Sequence, residues 1–174
     1  MKVKQAFLKF IAPQVPKEER VKAASGDFPP EAALAPGDRL TVMFVLTRDA
    51  DSAVSAMAKK TIEEYPRYLL MAALEEPLDP LVIRHIIGAR GKNESVMIMA
   101  ALNPGIDEAT LITIGQECNE EVANVLTADK EWLASKPFFI EALKKNQLLS
   151  KATIERIESG AAEEEEKEKQ AEGS

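Results

Sequence analysis

ALNPGIDEATLITIGQECNEEV, residues 101–122, decides the fold, because the chain has written much of it twice before. Residues 73–96 read ALEEPLDPLVIRHIIGARGKNESV, and residues 33–54 read ALAPGDRLTVMFVLTRDADSAV. Each segment opens on Ala-Leu, meets a proline two or three positions later, and then an aspartate: Asp38, Asp79 or Asp107. An apolar stretch of about two helical turns follows. A polar corner then carries Asp51, Asn93 or Asn119, with a valine three positions beyond it: Val54, Val96 or Val122. Short carboxylate and amide side chains at such corners accept hydrogen bonds from the unpaired N–H groups of a helix start. The aspartates also suit the positive end of the helix dipole. Each segment therefore reads as two helices. A fourth, degenerate pass is ALKKNQLLSKATIERI (142–157), with Ser150 in the capping place and Ile154 and Ile157 standing for Leu111 and Ile114.

One helix pair cannot bury its apolar face alone, whereas a neighbouring pair covers it and makes the core continuous. The passes are unevenly spaced, and the two longer intervals carry further helix near PRYLLMA (66–72) and KEWLASKPFFIE (130–141). The expected fold is all-α: a short, irregular solenoid of three to four helical pairs. A second reading stays open. RLTVMFVL (39–46), LVIRHII (81–87) and TLITI (110–114) are rich in β-branched residues and suit strands, which would give an α/β fold. Capping residues before these stretches favour helices. So does the wheel on which Val82, Ile83, Ile86 and Ile87 share a face opposite Arg84 and Gly88. SVMIMAAL (95–102) is apolar all round and predicts a central, buried helix.

The succession of proline, acidic residue, two-turn apolar helix, corner and N-E-x-V helix resembles the HEAT-like and leucine-rich-repeat-variant α-solenoids of bacteria, over about residues 30–158. That resemblance implies a right-handed stack and a protein that binds other macromolecules or regulates attached modules. Some HEAT-like relatives are DNA glycosylases or chromophore-attaching lyases, but no residue here matches either activity.

Composition narrows the choices. Of 174 residues 45% are apolar and 29% charged, enough for a real core, while aromatics at 5% suit packed helices better than a sandwich. A net charge of −7 disfavours a general nucleic-acid binder, which needs cations for phosphate. One cysteine, Cys118, precludes an intrachain disulfide, and with one histidine, His85, it precludes the usual Cys/His zinc site. No metal or cofactor is expected. No apolar run approaches the roughly 18 residues of a membrane span, and the first residues lack a secretory pattern, so a cytoplasmic protein is expected.

Three segments result: a basic, amphipathic extension (1–29), the helical-repeat domain (30–158) and an acidic tail (159–174) that is disordered or a fraying helix. The extension serves either as a cap on the stack or as a docking peptide that inserts Phe7 and Phe10 into a partner. GARGK (88–92) departs from the phosphate-loop pattern. Its glycines are expected to end a helix, with positive φ at Gly88 or Gly91. Arg84, Arg90 and Lys92 form a basic cluster in an acidic chain, and a protein-binding surface is expected there. The alternatives are an enzyme pocket near His85 or Cys118, and nucleic-acid binding through Arg84, Arg90 and Lys92. The pairs Glu63–Glu64, Glu75–Glu76 and Glu120–Glu121 do not converge on a helix and read as solvated faces and caps.

Overall fold

The capping residues start helices where the repeats place them, with one exception. In this computed structural model, which describes residues 1–172, Asp51 accepts from Ala53 N at 2.9 Å, Asp79 from Leu81 N, and Asn93 from Val96 N. Asp107, Asn119 and Ser150 accept in the same way from Thr110, Val122 and Thr153. The exception is Asp38. Its helix begins two residues earlier, with Pro36 in the first turn and Ala35 as a cap without a side-chain bond. Proline there loses no needed N–H and brings a helical φ with it. Asp38 instead lies inside the first turn and pairs with Lys4 at 2.6 Å. All described secondary structure is helical, so the three β-branched stretches are not strands.

The chain divides into two compact units. The first holds Met1–Lys92 and the loop Leu102–Ile106. Its helices are α1 (Leu8–Ile11), α2 (Lys17–Ala24), α3 (Pro36–Leu46), α4 (Ser52–Glu63), α5 (Arg67–Leu74) and α6 (Pro80–Arg90). α3 packs against all five of the others. Leu40, Val42, Met43, Phe44 and Leu46 are consequently buried around most of its circumference, which explains a sequence that looked like a buried strand. Val54, Ala58 and Ile62 of α4, Leu70 and Leu74 of α5, and Val82, Ile83 and Ile86 of α6 complete the core. Each large side chain so buried contributes about 1.5–3 kcal/mol before conformational entropy is charged against it.

The first 29 residues do not stand apart from this unit. Phe7 and Phe10 are 2% and 8% exposed, and Phe10 meets Phe28 edge-on at 5.4 Å. Both rings belong to the core, which corrects the docking-peptide expectation: neither can be offered to a partner. Arg20 joins α2 to the corner after α3 through two 2.7 Å bonds to the buried carboxylate of Asp49. The loop after residue 101 is fastened by Asn103, which is 2% exposed. Its Nδ2 donates to Leu74 O and Glu76 O, both at 2.8 Å, and its Oδ1 accepts from Leu78 N and Gly105 N. A Cβ on Gly105 would lie 1.8 Å from Leu78 O, so the residue there must be glycine.

The second unit comprises Asn93–Ala101 and the chain from Asp107 on. It contains α7 (Glu94–Ala101), α8 (Glu108–Glu117), α9 (Glu120–Leu126), α10 (Lys130–Ala134), α11 (Pro137–Lys144) and α12 (Lys151–Glu172). α7 packs on α8 and α9, α8 on α11, and α12 on α10 and α11. α7 was expected to be buried all round. Val96, Met97, Ala100 and Ala101 are buried, but Ile98 and Met99 only in part. Gly115 lets α8 and α11 approach, since a Cβ there would lie 2.9 Å from Ala142 Cβ and 3.0 Å from the Phe139 ring. Trp132 stacks edge-on against Phe139 at 5.4 Å. The acidic tail is helical through Glu172, with Lys130 pairing to Glu163 at 3.2 Å. The expectation for Gly173 and Ser174 lies outside the described residues.

Candidate functional site

α6 presents two faces with different chemistry. Val82, Ile83 and Ile86 go into the core, while Leu81, Arg84, His85, Gly88 and Ala89 recur at helical spacing along the other face. That second stripe forms one wall of an open groove of about 530 Å³. Lys59 and Glu63, one turn apart on α4, form the opposite side. Phe44 and Arg48 close it from the end of α3. Its volume lies in the range of pockets that take small molecules or side chains of a partner.

Aromatic packing organises the groove. The Phe44 ring is buried, the Arg48 guanidinium lies 4.5 Å over it, and His85 meets its edge at 5.3 Å with the planes at 60°. Arg48 is thereby held in a stacked position without leaving solvent. Burial and then the positive charges of Arg48 and Lys59 push His85 below the usual imidazole range, with Glu63 pulling the other way. The imidazole is therefore neutral at pH 7.

The structure separates the three cations that the sequence puts close together. Arg84 is exposed on the groove wall. Arg90 turns back into its own unit, where its guanidinium donates to Tyr65 O at 2.8 Å and Ile62 O at 3.3 Å. It caps the carbonyl end of α4 and is a structural group. Lys92 is exposed beyond the end of α6 and does not line the groove. The cations that do meet Arg84 are Arg48 and Lys59, which sequence reasoning missed. A signal existed in the spacing 81, 84, 85, 88, 89, which marks a second helix face, but nothing local ties it to α3 or α4.

Neither glycine of GARGK has positive φ. Gly91 caps α6 with φ −66°, and Gly88 lies inside the helix. The positive-φ residues among those described are Gly26 and Ala33. Gly88 is peculiar in another way: nothing lies within 4 Å of where its Cβ would be.

Cys118 lies in the second unit and lines no part of the groove. It is fully buried, and its thiol is pushed up to about 11 by burial. Asn146, 2% exposed, closes the corner around it. The amide Nδ2 donates to Gly115 O and Cys118 O at 2.8 Å, and Oδ1 accepts from Leu148 N. A thiol in that state is a poor nucleophile and a good core residue. Among the described residues no group of three His, Cys, Asp or Glu is placed to hold a metal, and no helix is long and apolar enough to cross a membrane. Comparisons with protein families, with curated proteins and with solved structures return no match.

Proposed function

We propose that the chain is a non-catalytic interaction module that holds a protein partner, its helix pairs stacked as a short, irregular, right-handed solenoid of three to four pairs. The observation that carries this reading is the packing of corresponding helices. In the second unit α7 rests on α9, the second helices of successive passes. In the first unit α3 likewise touches α6. Like-on-like packing is how repeats build an extended surface for partners. The polar side chains of the corners also go into caps and joints, as Asn103, Asn146 and Arg90 do, and serve the fold.

Cross-linking followed by mass spectrometry, with the tagged full-length chain in extract of its source cells, tests this. One or a few proteins should be captured reproducibly, with cross-links confined to one face. The competing reading is an enzyme or small-molecule binder with its pocket at His85, favoured by the concave groove itself. A panel of metabolites that raises the melting temperature, with no protein captured, would replace the module by that reading.

A further inference from the structure

We infer that the hollow bordered by the end of α2, by α3 and α4, and by the start of α5 binds a small organic monocarboxylate. It lies on another face of α4 than the groove at His85, so the inference goes beyond the module reading and does not depend on it.

The hollow has a volume of about 450 Å³, which suits a small molecule. Its chemistry starts from one hydroxyl. Tyr65 is 7% exposed, and a Cβ on Gly26 would lie 3.9 Å from its Cε2, so the outer edge of the ring borders the hollow. A buried tyrosine usually finds a hydrogen-bond partner for its O–H. Among the described residues this hydroxyl has no partner in the protein. The sealed side-chain polar atom without a partner, among the same residues, is Arg20 Nε, so the Tyr65 oxygen is not sealed and reaches the opening. Phenylalanine would fill the same core volume, so packing does not require the hydroxyl.

Arg39 lines the same hollow and is half-buried. Its Nε donates to Leu34 O at 3.1 Å, which fixes the guanidinium plane. Its two terminal nitrogens make no hydrogen bond to the protein among the described residues. That planar fork matches a carboxylate in bidentate fashion. Burial holds the Tyr65 hydroxyl above the ordinary phenol range, and the Arg39 charge pulls it the other way. The phenol is therefore protonated at neutral pH and able to donate. A guanidinium fork and a phenol O–H in one small space are donors that lack an acceptor, and a carboxylate brings two acceptor oxygens.

Charge and surface narrow the ligand further. Lys60 adds a second cation and Glu64 a carboxylate, so Arg39, Lys60 and Glu64 leave one positive charge at the hollow. One carboxylate balances it, whereas an ammonium or a phosphate dianion does not. Met57, 37% exposed, and the half-buried Leu69 offer apolar cover for a hydrocarbon body.

Titration of the isotope-labelled full chain with benzoate and with hexanoate, followed by heteronuclear NMR, tests this. Benzyl alcohol, benzylamine and inorganic phosphate serve as separate probes. A carboxylate should bind with a Kd of roughly 1 mM or tighter and move the amide signals of Gly26, Thr61 and Leu69. Tyr65→Phe should weaken binding several-fold while keeping or raising the unfolding midpoint, since it removes an unpaired hydroxyl. Arg39→Gln should weaken it on the order of tenfold. His85→Gln, in the other groove, should bind as the wild type does. The inference is overturned if neither carboxylate binds, or if Tyr65→Phe and Arg39→Gln both bind at full strength. Tighter binding of benzyl alcohol, benzylamine or phosphate than of either carboxylate overturns it too. So does a lower midpoint in Tyr65→Phe, which would give the hydroxyl a role in the fold, and so does loss of binding in His85→Gln, which would put the ligand at α6.

Discussion

The corner around Cys118 and the groove around His85 hold the two side chains most capable of chemistry, and they differ in one respect. At the corner every polar atom has found a partner. Asn146 satisfies the carbonyls at the end of α8 and the N–H of Leu148, and Cys118 is sealed beneath it. At the groove Arg48, Lys59, Glu63 and Arg84 stand along an open surface, with Arg48 stacked on Phe44 and His85 only half-buried. Saturated polar groups account for themselves through stability, since leaving one unpaired in the core costs about 1–3 kcal/mol. Charged side chains along an open groove keep their contact with water, and pairing there adds little to stability. The difference separates side chains sealed into the fold from side chains that remain at a surface.

The comparison breaks first at the asparagines. Asn146→Ala strands the Gly115 and Cys118 carbonyls in the core and should cost about 3 kcal/mol, read as a lower urea midpoint. Asn103→Ala, which strands groups at Leu74, Glu76 and Leu78, should cost as much in the first unit. If either variant unfolds like the wild type, saturation is not what holds these corners. Cys118 should follow. Its folded thiol titrates above the ordinary value, so burial favours the neutral form. The stability this provides is present below pH 9.0 and lost as pH rises toward about 11. Over that interval the wild type should lose about 1.4 kcal/mol per pH unit more than Cys118→Ala does, measured by urea unfolding. Equal slopes would show that the thiol is not sealed.

Helix identity was legible because the capping chemistry is local. Asp51, Asp79, Asn93, Asp107, Asn119 and Ser150 each sit two or three residues from the N–H groups they serve, within reach of a sequence window. Asp38 misled because Pro36 starts the helix by a different local device, and a sequence cannot say which of the two prevails. The asparagine joints were not legible. Asn103 and Asn146 both stand four residues before a helix cap, but their partners lie 25 to 31 residues away in sequence. The groove was half legible for the same reason. Arg84 and His85 could be assigned to a face of α6, whereas Arg48 and Lys59 reach it only through tertiary packing. Arg90, adjacent in sequence, faces inward because the end of α4 presents carbonyls there.

His85 sharpens the comparison at the opposite end of the pH scale. Its folded value is depressed, so its contribution to stability is fully present above the unfolded value of 6.5 and is lost as pH falls through the lowered one. His85→Gln should flatten the acid side of the stability profile and leave the alkaline side unchanged, the reverse of Cys118→Ala. Because the ring is only half-buried, the effect should be smaller than the thiol's. An identical acid limb in His85→Gln and wild type would mean that neither burial nor the charges of Arg48 and Lys59 hold the ring neutral.

The smallest effect is the most diagnostic, because it should have the opposite sign. Gly88→Ala adds one methyl to a helix position with nothing within 4 Å of it. The substitution meets no steric resistance and removes backbone freedom from the unfolded chain, so it should stabilise by about 0.5–1 kcal/mol. A protein that forgoes this gain has either no use for it or a use for the gap. A more stable variant, read as a higher urea midpoint, means that the methyl meets nothing and that packing does not require glycine there. A destabilised variant would show that Gly88 is fitted to its own fold, as Gly105 and Gly115 are, and would put the groove on the same side of the comparison as the Cys118 corner.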